Sequence, residues 1–153
     1  MLLTGLYAFL CTIGFAVLFN IPKKNIMHSG VGGALGWLAY VYSQNLLDSM
    51  VFSAFVGAFV VGIVGEVFAR IFKEPGTIFV VPGIIPLVPG YGLYYAMLKS
   101  VENDYQAALQ SGLETFLVAI AIASAIISTT SIGRVIKTWL SKRQALKRHN
   151  TQV

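Results

Sequence analysis

Two carboxylates stand inside apolar runs of this sequence and are its first candidates for chemistry. Glu114 lies about two turns into the run 107–132. A carboxylate within a membrane is costly and by default functional, so Glu114 could carry a coupling proton or face a substrate. If its helix begins later, Glu114 lies at the outer headgroups instead. Glu66 comes four residues before Arg70 on the same helix face, which predicts an ion pair between them.

A run of prolines and glycines offers a second kind of chemistry, which comes from the backbone. It reads Val81-Pro82-Gly83-Ile84-Ile85-Pro86-Leu87-Val88-Pro89-Gly90-Tyr91-Gly92. Each proline removes a backbone donor and costs about 3 kcal/mol within a regular helix, so the run predicts a broken helix. In a membrane, non-helical backbone survives only where protein buries it or where it lines a water-filled cavity.

The broken helix therefore predicts a substrate pathway, because transporters use interrupted helices for this purpose. The residues predicted to line it are Pro82, Gly83, Pro86, Pro89, Gly90, Tyr91, Tyr94 and Glu114. A kinked or re-entrant packing element stays the alternative, with the tyrosines in an outer aromatic belt.

The glycines of the second and third apolar runs do not form a nucleotide fingerprint. Gly30, Gly32 and Gly36 miss the G-x-G-x-x-G spacing by one residue, and no strand precedes them. In lipid, small residues spaced one helical turn apart let two backbones approach closely. Close packing, within the chain or toward a partner, is predicted at Gly32, Gly36, Gly57, Gly62 and Gly65.

The remaining polar residues do not predict enzyme chemistry. Neither histidine, His28 or His149, stands near a cysteine or a cluster of carboxylates, so the sequence offers no metal site or hydrolytic triad. The single cysteine, Cys11, leaves no disulfide within the chain. We predict that the protein is not an enzyme and needs no cofactor.

The amino-acid composition indicates the class of protein to which these residues belong. Hydrophobic residues make up 56% of the 153 residues and charged residues 11%, and the mean hydropathy is +0.74. A soluble domain carries about 25% charged residues, because its surface faces water. The basic residues behind the net charge of +5 fall in short clusters between apolar runs, which indicates membrane topology and not nucleic-acid binding.

Five apolar runs predict an all-α integral membrane protein with five transmembrane helices, the fourth broken by the proline–glycine run. About 20 residues are needed to cross a bilayer. The runs cover residues 2–19, 26–42, 50–69, 77–98 and 107–132. We thus predict a five-span membrane domain over residues 1–133 and a basic cytoplasmic tail over residues 134–153.

The basic residues also predict the orientation. Five spans place Lys23, Lys24, Arg70, Lys73 and the six basic residues of the tail on one side, and Lys99 on the other. Lys and Arg beside spans favour the cytoplasm. The amino terminus is therefore predicted to lie outside and the tail in the cytoplasm.

Three features of this arrangement resemble a known family. The turn Phe19-Asn20-Ile21-Pro22 after the first span, the glycine-rich second span and the proline–glycine run are similar to the carboxy-terminal half of the threonine/serine exporter (ThrE) family. The resemblance covers nearly the whole chain. Some members are one long chain and others are two polypeptides, of which this chain resembles the smaller, as in a bacterial succinate exporter.

The resemblance implies a small subunit of a secondary active exporter in the bacterial inner (plasma) membrane. Its cargo would be threonine, serine or a dicarboxylate such as succinate, and its partner a larger membrane subunit of the same family. A homo-oligomer is a further arrangement that the glycine faces allow. The alternative function is a membrane scaffold or assembly protein that does not transport, although a scaffold needs no interrupted helix.

Overall fold

The computed structural model describes the backbone of residues 2–150 and the side chains of residues 2–135. Within that part the elements are helical and include no β-strand, which confirms the all-α class. In chain order they are α1 (Leu2–Leu18), α2 (Lys23–Leu47), α3 (Met50–Phe72), α4 (Thr77–Ile84), a 3-10 turn (Ile85–Leu87), α5 (Gly90–Val101) and α6 (Tyr105–Asn150).

Four helices end at residues other than glycine that have positive φ. These residues are Asn20, Asp48, Lys73 and Asn103. After α1, the N–H of Asn20 donates to Val17 O and the N–H of Ile21 donates to Ala16 O, both at 3.0 Å. This pair of bonds satisfies carbonyls that the helix end would leave free. Asparagine adopts the left-handed conformation at low cost, and the following Pro22 cannot continue the helix. The residues of the Phe-Asn-Ile-Pro turn are therefore sufficient to end α1.

The helices pack in a simple order. α1 lies against α2, α2 against α3, and α3 against α6, while α4 lies across α1, α2 and α3. A buried cluster at the centre joins α3, the 3-10 turn and α6. Its members are Ala54, Ala58, Val61, Leu87, Val118, Ile122 and Ala125. Among the described elements, α5 packs only against α6.

Glycines bring α2 and α3 into close contact. A Cβ on Gly36 would lie 3.0 Å from the carbonyl oxygen of Gly57, and a Cβ on Gly57 would lie 3.0 Å from that of Gly36. A Cβ on Gly36 would also overlap the side chain of Val61. A Cβ on Gly32 would instead lie 3.6 Å from Val64, which is an ordinary contact. This close approach therefore lies within the chain and depends on Gly36 and Gly57.

Two further glycines of α3 make contacts of the same kind with other helices. Gly62 packs against Thr129 of α6, and Gly65 packs against Val80 of α4. A Cβ on either glycine would overlap its neighbour. None of the described glycines has positive φ, so the turns do not depend on glycine and these residues serve helix packing instead.

Fewer spans are evident by length and composition than the five that the sequence predicts. Among the described residues, two helices are long and apolar enough to cross a membrane, Met50–Phe72 and Tyr105–Val135. A third crossing results if the bent pair of helical segments, Thr77–Leu87 and Gly90–Val101, forms one broken span. The apolar helix α1 has 17 residues, at the lower limit for a crossing, and α2 begins with Lys23 and Lys24. The count of five stays a prediction.

The predicted boundary between membrane domain and tail lies inside one helix. α6 continues past Gly133 and Arg134 to Asn150. Beyond Arg134, the basic side chains of the predicted tail lie outside those that the structure describes; they are Lys137, Lys142, Arg143, Lys147 and Arg148.

Candidate functional site

The proline–glycine run breaks the helix as predicted from the sequence. The segment Thr77–Leu87 ends at Val88, which is extended at φ −63° and ψ 126°, and α5 begins after Pro89. A residue before proline is driven toward extended backbone, which explains the position of the break. The two segments meet at an angle of 45°.

The carbonyls that the three prolines free are all bonded by the protein. Pro82 frees the carbonyl of Ile78, which accepts a hydrogen bond of 3.1 Å from Ser29 Oγ of α2. The carbonyl freed by Pro86 accepts from the N–H of Ile85, and the carbonyl freed by Pro89 accepts from the N–H of Val88. Each of these carbonyls therefore already has a hydrogen-bond donor within the protein.

The backbone groups left without a partner at the break are donors. In the described chain, the N–H groups of Tyr91 and Gly92 at the start of α5 bond to no carbonyl. The first N–H groups of any helix lack a partner within the helix and carry partial positive charge.

A cavity of about 550 Å³ lies beside the break. It is bounded by the second half of α2, the start of α3, the break, α5 and the first half of α6. Its lining residues are Trp37, Tyr40, Met50, Pro86, Leu87, Val88, Pro89, Gly90, Tyr91, Gly92, Tyr95, Ala107, Gln110, Ser111, Glu114, Thr115 and Val118. This size lies in the range of small-molecule sites.

Most of the predicted pathway residues meet at this cavity. Those that line it are Pro86, Pro89, Gly90, Tyr91 and Glu114. A Cβ on Gly90 would have no neighbour within 4 Å, so packing does not require glycine there.

Three predicted pathway residues lie elsewhere. Pro82 and Gly83 are buried between α4 and its neighbours, and a Cβ on Gly83 would lie 2.8 Å from Val61 Cγ1. Their role in this structure is packing. Tyr94 is 62% exposed and does not line the cavity.

Aromatic residues that were not among the predicted pathway residues also line the cavity; they are Trp37, Tyr40 and Tyr95. Trp37 and Tyr40 are three residues apart on α2, and their rings stack with centroids 5.3 Å apart. Tyr91 and Tyr95 are four apart on α5, and their rings stack at 6.0 Å. Residues three or four apart share a helix face, and that spacing was the signal that could have grouped them.

The polar groups of the lining differ in whether they are already bonded. Ser111 Oγ donates to Gly92 O at 3.2 Å, and Thr115 Oγ1 donates to Ser111 O at 2.7 Å. Trp37 Nε1 is buried and has no hydrogen-bond partner among the described residues. The lining therefore combines hydroxyl groups that are already bonded within the protein with the carboxylate of Glu114.

The opposite end of α4 is tightly closed. Rings from α2, α3 and α4 cluster there, with His28 4.2 Å from Phe72 and Phe68 5.7 Å from Phe79, centroid to centroid. Beside them Lys24 Nζ lies 2.7 Å from Glu74 Oε1. Lys24 holds the pKa of the Glu74 carboxyl below its usual value, first by hydrogen bonding and then by its charge.

The ion pair predicted between Glu66 and Arg70 is not formed in the described structure, whose side-chain ion pairs are Lys24–Glu74 and Lys99–Glu102. The guanidinium of Arg70 instead donates to the carbonyl of Gly133 at 2.9 Å. The carboxylate of Glu66 packs against the same Gly133. The reason is that α6 lies close to α3 here and offers a backbone acceptor that the sequence spacing could not reveal.

These features define a class of protein: a helical membrane protein that has a broken span beside a cavity with one carboxylate, which is an arrangement found in transporters. The sequence profile described as threonine/serine exporter, ThrE, matches residues 4–132. The chain therefore belongs to the threonine/serine exporter family, as the sequence motifs indicated, and it is a membrane transport protein. No solved structure matches it.

Proposed function

We propose that this chain is the small membrane subunit of a secondary active exporter, and that small polar metabolites pass through the cavity at the broken helix. One observation carries the proposal: the break itself, at Pro86, Pro89 and Gly90, forms part of the cavity wall. The free N–H groups of Tyr91 and Gly92 suit the carboxylate that threonine, serine and dicarboxylates share.

The proposal includes five crossings of the bacterial inner membrane, with the amino terminus outside and the tail in the cytoplasm. The turns at 20–22 and 73–76 then lie inside, together with the closed ring cluster. The cavity, near the other ends of α2, α3 and α6, would open toward the outside. This is the arrangement expected of an exporter at the stage of release.

A larger membrane subunit of the same family is proposed as partner. Glu114 is exposed on α6 in the single chain, and α5 buries none of its residues. A charged group facing hydrocarbon would be costly, so a second membrane protein is expected to complete the wall. A second copy of this chain is the alternative way to cover it.

A scaffold or assembly protein is the other candidate function. The glycine contacts between α2, α3 and α6 would serve such a role equally well. The break and the carboxylate in the cavity favour transport, because a scaffold gains nothing from either.

Replacing both Pro86 and Pro89 by Ala tests the proposal. The helix could then continue through the break, which would remove the free N–H groups of α5 and fill part of the cavity. We expect export of labelled threonine from preloaded cells, normalised to membrane abundance, to fall about tenfold or more.

The matched control is Pro82→Ala, since Pro82 is buried in the same run but does not line the cavity. Gly90→Val is a second variant, because its side chain would enter the cavity without meeting a packed neighbour. Gly83→Val would disturb contact with Val61 and is unsuitable. Normal export by both the double proline variant and Gly90→Val would show that the break serves helix packing and not transport.

A further inference from the structure

The cavity beside the break has a one-sided charge. Among the described residues that line it, Glu114 is the charged one, and the lining contains no Lys, Arg or His. The basic residue of α5, Lys99, does not line the cavity. It pairs with Glu102 at 2.8 Å, and its Nζ lies 5.5 Å from the centroid of the Tyr95 ring. A dianion in the cavity would therefore meet a like charge without a basic partner, whereas a cation would meet its counter-ion.

Four aromatic rings surround the same space. Trp37 and Tyr40 belong to α2, and Tyr91 and Tyr95 belong to α5, so two stacked pairs from different helices line the cavity. The face of an aromatic ring attracts a cation, and a carboxylate combined with aromatic rings is how proteins recognise ammonium groups.

Two hydroxyl groups of the lining, those of Ser111 and Thr115, act as acceptors toward a ligand. Ser111 and Thr115 donate their hydroxyl protons to backbone carbonyls, and the lone pairs of the hydroxyl oxygens are left to accept hydrogen bonds from a ligand. These groups, like the carboxylate, suit a ligand that donates hydrogen bonds, as an ammonium group does three times.

We propose that Glu114 and the rings of Trp37, Tyr40 and Tyr91 form a subsite for an ammonium group, and that Glu114 selects cargo by charge. The subsite accepts small amines and amino-acid zwitterions and rejects dicarboxylates. The inference rests on the proposed function in one respect: the bound ammonium is taken to belong to the transported metabolite.

Binding to the full chain in lipid nanodiscs tests this assignment with four small probes. Serine carries both charges, ethanolamine has only the amine, glycerate has only the carboxylate, and succinate has two carboxylates. We expect serine and ethanolamine to bind at least about tenfold more tightly than glycerate and succinate. Tighter binding of glycerate or succinate would overturn the proposal.

Substitution of Glu114 identifies the residue responsible. Glu114→Gln keeps the shape of the side chain and should weaken serine and ethanolamine binding by about tenfold to a hundredfold. Glu114→Asp keeps the charge and should restore part of the affinity. The control, Glu102→Gln, changes a carboxylate outside the cavity and should bind as the wild type does. Unchanged binding by Glu114→Gln would overturn the assignment.

A small inorganic cation could use the same carboxylate, and radioactive sodium distinguishes the two. Sodium that binds through Glu114 and is not displaced by ethanolamine would overturn the ammonium assignment. Displacement of bound sodium by ethanolamine would support it, since both would then compete for one carboxylate.

Export assays separate this inference from the proposed function. If Pro86→Ala with Pro89→Ala abolishes export while Glu114→Gln binds serine normally, charge selection by Glu114 is wrong and the pathway stands. If serine binding depends on Glu114 but neither amino acids nor dicarboxylates are exported by wild-type cells, the subsite stands and the exporter function is wrong.

Discussion

At the residue scale, Gly32 and Gly36 lie one turn apart in α2 but meet different neighbours in α3. Gly36 is pressed against the backbone of Gly57 and the side chain of Val61, whereas a Cβ on Gly32 would touch Val64 at an ordinary distance. The sequence treated both as members of one packing face. Which of them needs to be glycine depends on the neighbouring helix, so the sequence pattern alone cannot tell them apart.

Gly36→Ala and Gly32→Ala should therefore change stability in opposite directions. The added methyl group at Gly36 overlaps Val61 and should destabilise the protein by about 1–3 kcal/mol. The methyl group at Gly32 fits, and the better helix propensity of alanine should stabilise by about 0.5–1 kcal/mol. Thermal unfolding of the purified variants in detergent provides the comparison. Equal losses at both positions would contradict the packing described for α2 and α3.

At the scale of elements, helix α4, which contains Pro82, receives a hydrogen bond from another helix. Ser29 Oγ of α2 donates to the carbonyl of Ile78, which lost its usual donor because Pro82 has no N–H. Its hydroxyl also lies 3.1 Å from Asn25 O in its own helix. The proline-containing segment is thus held in part by a donor that lies 49 residues away in sequence.

Ser29→Ala removes the donor and leaves the Ile78 carbonyl buried without that partner, which should cost about 1–3 kcal/mol. Ser53→Ala is the control, because Ser53 is equally buried but its hydroxyl bonds only to Ser49 O of the same chain segment. That carbonyl keeps its bond from the N–H of Ser53, so a loss below about 1 kcal/mol is expected. Denaturant-induced unfolding followed by circular dichroism measures both. A loss for Ser29→Ala no larger than for Ser53→Ala would show that this bond does not stabilise α4.

The elements were largely predictable from sequence, and their contacts were not. Apolar runs and prolines depend on local chemistry, so the helices and the break appear where the sequence predicted them. Trp37 lines the cavity because α2 packs against α3 and the 3-10 turn. Arg70 bonds to Gly133 and not to Glu66 because α6 lies beside α3. Such choices arise from helix packing between distant segments, which hydropathy and spacing do not encode.

At the scale of the whole molecule, one end is closed and the other is open. Ring contacts and the Lys24–Glu74 pair close the end that carries the turns at 20–22 and 73–76, and the cavity lies toward the other end. Which end faces the cytoplasm follows from the basic residues and remains a prediction. The direction of export depends on it.

Cysteine labelling in intact cells measures the orientation. Cys11 is exposed and must first be replaced by Ala, after which single cysteines are placed at Asn45, an exposed residue near the end of α2, and at Gln144. We expect an impermeant maleimide to label Asn45→Cys and to leave Gln144→Cys unlabelled until the cells are opened, because basic residues favour the cytoplasm. The reverse pattern would place the cavity toward the cytoplasm, and the proposed release stage would be wrong.

The limited packing of α5 makes its angle to α4 sensitive to the thickness of the lipid bilayer. α4, the 3-10 turn and α5 contain 8, 3 and 12 residues, and in line they would reach about 35 Å, slightly more than the hydrocarbon of a typical bilayer. Tilting or bending is how such a segment fits a thinner membrane. Among the described elements, α5 packs only against α6, so we expect the angle between the two segments at Pro89 to change most easily. A thinner or thicker bilayer would then change that angle and, through it, the width of the cavity.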